Sequence, residues 1–381
     1  MSKQLIIKTG NQMIAEGALK AGCMFFAGYP ITPASGIYKT MTEELPKIAG
    51  CSVSAPDEIS AIAYAIGASM RGVKAMTATS GPGWALMIES VQYSLITETP
   101  IVIALVQRLG PATGGATQNA QGDIYFSQFM TSGGYTIPTL CPTNAREAYA
   151  LTIKAFSIAE KLRTPVILLS DKETAMTSET IDINALVVPE ISQRTLKEEV
   201  ASLEQVEEMY SIENSYDVPK FAEVGGVYKV TATGSAHNMS GELKKNDPET
   251  MYLLRHLEDK ITFNKELMKE YFLDEQENAE HLIIAYGITA RTAKEAVRTL
   301  RAQNFAVSLL VIHSLFPIPE DVIVTATSKV SNVIIPEENM QGQYRRLINH
   351  LFFEKKITPI NLIGRLITPS EIVDAVGGHN E

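Results

Sequence analysis

The feature that most restricts how this chain can fold is a repeated switch between two hydrophobic periodicities. Asn11–Ala21, Glu58–Arg71, Ala85–Ser94 and Ala145–Leu162 carry apolar residues every three to four positions. Between them lie short apolar runs at Cys23–Ala27, Ala75–Thr79, Ile101–Val106 and Val166–Ser170. The first pattern is that of amphipathic helices, and the second is that of strands covered on both faces. Their alternation predicts βαβ units around a parallel sheet over residues 1–172, an α/β fold.

The pattern resumes near residue 279. His281–Gly287, Phe305–Ile312, Ser331–Pro336 and Ile360–Gly364 read as strands. Thr289–Gln303, Asp321–Thr327 and Met340–Phe353 read as helices. Ala293, Ala296, Val297 and Leu300 share one face of the first of these, so residues 279–381 are expected to form a second, smaller α/β domain. Residues 173–278 are expected to be an acidic linker and connecting arm, with Asp247–Gln276 helical and heavily charged. Residues 171–220 hold twelve Asp or Glu against four Lys or Arg. That is the pattern of a solvated arm, or of a surface for a basic partner.

A net charge of −10 argues against a nucleic-acid binder, which needs clustered Lys and Arg for phosphate contacts. Cys23, Cys51 and Cys141 stand alone, without the spacing of a metal or cluster site. So sparse a set fits a reducing cytoplasm, and any iron–sulfur chemistry is expected on another chain. MSKQLIIKTGNQ has no apolar signal core, and no apolar run approaches the ~20 residues that span a bilayer. Neither secretion nor membrane insertion is expected. None of the six histidines has ligand spacing, and no G-x-S-x-G elbow supports a hydrolase.

Four loops carry the candidate chemistry. In Gly28-Tyr29-Pro30-Ile31-Thr32-Pro33-Ala34-Ser35, two prolines stiffen a turn that presents Thr32 at a strand's carboxyl end, where open parallel sheets bind ligands. The competing role is helix capping by Thr32 or Ser35. Asp57 and Glu58 open an otherwise apolar helix. They serve either as ordinary first-turn acids or as a carboxyl that shares a proton with a ligand nitrogen. Thr79-Ser80-Gly81-Pro82-Gly83-Trp84 joins a strand to a helix expected to begin near Trp84, and it matches no nucleotide-phosphate signature. Arg108 follows a strongly apolar strand, placed either to clamp a carboxylate or to form a surface ion pair. The long loop behind it is rich in Gly, Thr and Gln.

In this order, GCMFFAGYPITPAS, PDEISAIAYAIGAS, MTATSGPGWALMIES, TPIVIALVQRLGPATG and QGD resemble the alpha subunit of 2-oxoacid:ferredoxin oxidoreductases, nearest the 2-oxoglutarate type. LIIAYGITARTAKEAV, IHSLFPIP and IPEENMQGQ extend the resemblance, which covers residues 8–172 and 280–345. It implies a pyrimidine-type domain of thiamine diphosphate enzymes and a transketolase C-terminal-like domain. It also implies oxidative decarboxylation of 2-oxoglutarate to succinyl-CoA and CO₂, with coenzyme A as co-substrate and electrons passing to ferredoxin. The beta subunit is implied to share the thiamine diphosphate and to carry Mg²⁺ and a 4Fe–4S cluster, with gamma and delta subunits in some complexes. By position in the motifs, Glu58 is implied to be the catalytic, cofactor-binding carboxyl, and Thr32 and Arg108 to hold the substrate's keto and carboxylate end. Leu109 stands where 2-oxoglutarate-type members often have Gly. The other readings are the same machinery acting on pyruvate or branched-chain 2-oxoacids, half of a non-redox thiamine enzyme, and a non-catalytic structural subunit.

Overall fold

The computed structural model describes residues 3–198 and 208–377. The first half supplies β1 (Leu5–Thr9), β2 (Phe25–Gly28), β3 (Cys51–Ser54), β4 (Ala75–Thr79), β5 (Ile101–Gln107), β6 (Thr139–Leu140), β7 (Pro165–Asp171) and β8 (Ser178–Asp182). The second supplies β9 (Tyr271–Asp274), β10 (His281–Ala285), β11 (Val307–Ile312), β12 (Ser314–Phe316), β13 (Asn332–Glu337) and β14 (Lys356–Asn361).

A seven-stranded sheet runs β12-β6-β7-β5-β4-β2-β3, parallel except for β12, which pairs antiparallel with β6. Every residue of β5 and β7 is buried, as expected for central strands with helices on both faces. Each buried Val, Ile or Leu there contributes about 1.5–3 kcal/mol. A five-stranded sheet runs β14-β13-β10-β11-β9, parallel except at β9, and β1 and β8 form a separate antiparallel ribbon. The fold is therefore α/β with two parallel sheets. Among the described residues, no helix is long and apolar enough to cross a membrane.

Helix starts follow local chemistry. Thr9 and Gln12 form a capping box for Gly10–Lys20, and Asn144 caps Ala145–Leu162. These two helices cross closely at Gly17, where a Cβ would lie 2.5 Å from the Tyr149 carbonyl oxygen.

Several elements differ from the sequence expectation. The third helix starts at Gly81 rather than near Trp84, because Pro82 is tolerated in a first turn and neither flanking glycine needs a positive φ. Asp247–Gln276 is not one helix. Pro248–Phe263 is helical, and Tyr271–Asp274 is β9, recruited by pairing with β11. The last strand is Lys356–Asn361, an edge strand that accommodates Pro359, and an unexpected helix, Pro369–Gly377, follows it. Met340–Phe353 shortens to a helix over Gln343–Ile348 and a 3₁₀ turn over Asn349–Leu351.

The acidic arm is partly laid onto the first sheet's helices. Arg194 is buried and makes a bidentate pair with Glu160 at 2.7 Å to each oxygen. It also stacks over Phe221, 4.6 Å from the ring centre. Residues 199–207 of the stretch lie outside the described residues. Helix Pro248–Phe263 docks through a buried cluster in which Glu98 accepts from His256 at 3.1 Å and from Lys260 at 2.5 Å. Although burial opposes it, the charges of Lys260 and His256 hold the Glu98 carboxyl well below the usual carboxylate range.

The two sheets are clasped through polar groups. Gln121 donates its amide N–H to the Glu338 carbonyl (2.8 Å), and its Oε1 accepts from the Glu338 N–H (3.2 Å). Asn339 Nδ2 donates to the Gln121 carbonyl at 3.0 Å. Asp171, at the end of β7, accepts from the Ile288 N–H at 2.6 Å. Burial, reinforced by the charge of Asp171, pushes the Glu338 carboxyl up to about 7.

Candidate active site

In the large sheet β2 and β4 are neighbours, and the connection from β2 runs to β3 on one side while that from β4 runs to β5 on the other. The loops at the carboxyl ends of β2 and β4 therefore flank a switch point, where open α/β sheets form their binding crevice. All four sequence-derived segments arrive there: residues 29–34 after β2, 55–57 after β3, Ser80–Gly83 after β4 and Arg108 after β5.

The structure separates the roles of the two adjacent acids. Asp57 is the helix cap, accepting from the Ser60 N–H at 2.7 Å, which frees Glu58 from that duty. Glu58 is buried in the first turn of Glu58–Met70 and faces Gly83. A Cβ on Gly83 would lie 2.5 Å from Glu58 Oε1 and 2.2 Å from Thr79 Oγ1. Only a glycine lets the turn after β4 pack this closely against the buried carboxyl, which fixes the carboxyl's position.

Arg108 is also buried, so it is not a surface ion pair. Its guanidinium donates to the Thr32 carbonyl, tying the end of β5 to the β2 loop, in which the Thr32–Pro33 peptide is cis. Asn11 Nδ2 donates to the Pro33 carbonyl at 2.8 Å and holds that loop from behind. Neither Thr32 nor Ser35 caps the next helix. Ala34 is its N-cap, and no side-chain cap bond is made. The structure therefore brings Thr32 and Arg108 into direct contact. Glu58 stands at the next loop, across the Ser80–Gly83 turn.

Unpartnered buried polar atoms gather around these residues: Arg108 Nε, Ser80 Oγ, Gln107 Nε2, Asn11 Oδ1 and Asp123 Oδ2. Buried polar groups are normally hydrogen-bonded, so such a cluster at a crevice marks where a polar ligand supplies the missing partners. The donors and acceptors suit a ligand with both anionic and ring-nitrogen groups. Asp123 belongs to this set, although sequence reasoning assigned it no role. It was visible only as part of QGD, and its position depends on contacts far away in the chain. Elements carrying the site also expose apolar side chains, including Ile59, Leu86, Phe126 and Phe129.

The sequence model of the pyruvate flavodoxin/ferredoxin oxidoreductase thiamine-diphosphate-binding domain matches residues 16–250, and that of pyruvate:ferredoxin oxidoreductase core domain II matches residues 279–372. The chain is 37% identical to the 2-oxoglutarate synthase subunit KorA of Methanocaldococcus jannaschii, over 97% of this chain and 98% of that one. It is 34% identical to KorA of Archaeoglobus fulgidus over 97% of each. The ketoisovalerate oxidoreductase subunit VorB of Methanothermobacter thermautotrophicus is 32% identical over 84% of this chain and 82% of that one.

Among solved structures, the 2-oxoglutarate:ferredoxin oxidoreductase from Magnetococcus marinus, with 2-oxoglutarate, coenzyme A and succinyl-CoA bound, superposes with a TM-score of 0.90 at 32% identity. It covers 99% of this chain, which spans 65% of that longer one. An inactive split-gene transketolase tetramer shares the fold, with a TM-score of 0.54 at 14% identity, over 97% of this chain and 96% of that one. With near full-length identity to the KorA subunits and both family domains in order, the chain belongs to the 2-oxoacid:ferredoxin oxidoreductase family, as a subunit of the alpha type.

Proposed function

We propose that this chain is the alpha subunit of a 2-oxoglutarate:ferredoxin oxidoreductase, which oxidatively decarboxylates 2-oxoglutarate to succinyl-CoA and CO₂. Electrons pass to ferredoxin, and the reaction needs a beta subunit. The observation that carries the reading is the Glu58 carboxyl, buried, released from capping by Asp57 and held in place against Gly83. Similarity to KorA over nearly the whole chain supports the 2-oxoglutarate specificity. In this reading, thiamine diphosphate, shared with the beta subunit, supplies the nucleophilic carbon and the electron sink.

Glu58 holds a proton against a ring nitrogen of that group and fixes the orientation of the ring. Arg108 receives the substrate's 1-carboxylate, with a guanidinium already oriented by the Thr32 carbonyl. Thr32 offers its hydroxyl to the 2-keto oxygen. The exposed apolar residues on the site's elements support a partner chain closing over the cleft and excluding water. A 4Fe–4S cluster is assigned to that partner because Cys23, Cys51 and Cys141 do not form a ligand set, and Mg²⁺ because no cluster of metal-ligating side chains occurs among the described residues. The same isolated thiols support a cytoplasmic setting. We assign residues 1–172 to the cofactor-facing domain, 173–278 to the arm and 279–381 to the C-terminal domain. The separate matches at 16–250 and 279–372 support the last division.

The test is Glu58→Gln in the reconstituted complex, assayed by anaerobic viologen reduction. Turnover is expected to fall about 10²–10⁴-fold, the usual worth of a positioned acid–base group, with assembly intact. Near-wild-type turnover would overturn the reading. A substrate panel of 2-oxoglutarate, pyruvate and 2-ketoisovalerate tests specificity, the last being relevant because VorB is also a relative.

A further inference from the structure

Asp123 stands in the cleft without a partner. Its backbone N–H donates to Gln107 Oε1 at 3.0 Å, which places the residue beside the end of β5 and next to Arg108. Its carboxyl lies against the first turn of the helix that starts at Gly81. A Cβ on Gly81 would be 3.2 Å from both carboxyl oxygens. Oδ2 is sealed from solvent and accepts no hydrogen bond. The loop that carries it cannot readily retreat. Gln121, two residues before it, is gripped by Glu338 and Asn339, and the Tyr125 N–H, two residues after it, donates to Gln343 Oε1 at 3.0 Å.

We propose that Asp123 couples ligand binding in the cleft to a proton: it must take up a proton for the carboxylate of an anionic ligand to occupy Arg108. The inference rests on the reading of Arg108 given above. A second negative charge on the guanidinium would meet the Asp123 carboxylate in a low-dielectric pocket whose loop is fixed from behind, and like charges in such a site do not both stay ionised. The groups facing Asp123 define the balance. From the end of β5 come Gln107 and, just after it, Arg108, and from the β4 turn comes the positive end of the helix at Gly81. Glu58 adds a further negative group on the opposite side of that turn, facing Gly83. From the second sheet's side, Gln343 is neutral, and Glu338 is engaged with Asn119 and the Ile367 N–H behind the loop.

Burial pushes the free Asp123 carboxyl up to about 7, with Arg108 pulling in the opposite direction. Drawing the Arg108 charge to a ligand removes that pull, so the bound state holds the proton more tightly. The sign follows: binding is proton-linked, and affinity falls as pH rises through about 7. At pH 8, binding should be about tenfold weaker than at pH 6, since each pH unit above the midpoint costs about tenfold.

The experiment is calorimetric titration of the intact complex with N-oxalylglycine, a non-reacting isostere of 2-oxoglutarate. It is run at several pH values and in buffers of different ionisation enthalpy. The wild type is expected to take up close to one proton per ligand at pH 8. Asp123→Asn should take up none and should bind at pH 8 as the wild type does at pH 6. Absence of proton uptake in the wild type at pH 8 overturns the proposal without recourse to any variant. Uptake that persists in Asp123→Asn also overturns it. If Arg108→Gln leaves affinity unchanged, the failure lies with the reading of the cleft itself, a different result from the other two.

Discussion

Replacing Gly83 by alanine tests whether the position of the Glu58 carboxyl is functional. The new Cβ would stand 2.5 Å from Glu58 Oε1 and 2.6 Å from its Cγ, whereas ordinary contact begins at 3.4 Å. The carboxyl must therefore retreat by about 0.9 Å. Thr79 Oγ1, at 2.2 Å, blocks relief on the other side. Misplacing a catalytic group by about 1 Å costs roughly 100-fold, which is about 2.7 kcal/mol of barrier. The melting temperature should fall as well, because Thr79 Oγ1 and Glu58 Cγ are not free chain ends, and the gain of about 0.5–1 kcal/mol of alanine over glycine in a helical turn offsets only part of the strain. The assay is viologen reduction by the assembled complex, with the melting temperature measured alongside. A kcat within about threefold of wild type in an intact complex would refute the reasoning. Gly17→Ala is the contrasting case. Its Cβ meets the Tyr149 carbonyl at 2.5 Å, so it should lower the melting temperature while leaving the kcat of assembled enzyme unchanged.

Other expectations follow from buried charges. Lys260→Met removes the nearest cation from the buried Glu98 carboxylate and should destabilise the chain by about 3–5 kcal/mol, read by chemical denaturation. Because Glu98 titrates below its ordinary range, its contribution is present above that range and is lost as the pH falls through its folded value. Glu98→Gln should therefore flatten the acid limb of stability. Glu338 behaves in the opposite way. Raised to about 7, it contributes stability below the ordinary carboxylate range, and that contribution is lost as the pH rises through about 7. The melting temperature should fall between pH 6 and 8, and Glu338→Gln should remove most of that slope.

Much of the site was legible because its residues sit in local motifs. Thr32 lies between two prolines, Glu58 opens an apolar helix, and Arg108 ends an apolar strand. The central strands were equally readable, since burial on both faces leaves continuous apolar runs in β4, β5 and β7. What was not legible depends on distant partners. Tyr271–Asp274 looks like the tail of a charged helix until β11 pairs with it. Cys51–Ser54 is short and half-exposed, a strand only because β2 lies alongside it. Which of two adjacent acids caps and which faces the cleft is decided by backbone geometry at Asp57, not by composition. Glu338 acquires its character from burial between the sheets and Asp123 from burial against the β4 turn and the end of β5, which no local pattern encodes.

Strand β12 has a consequence for how the chain comes apart. Ser314–Phe316 closes the edge of the large sheet at β6, although the rest of its neighbourhood in sequence builds the other sheet. Removing the C-terminal residues would strip a border from the N-terminal half and leave open backbone groups able to recruit a foreign strand. The two halves should therefore melt in one cooperative transition. Separately expressed fragments should be aggregation-prone on their own and become soluble together, much as complementing pieces of one severed domain do.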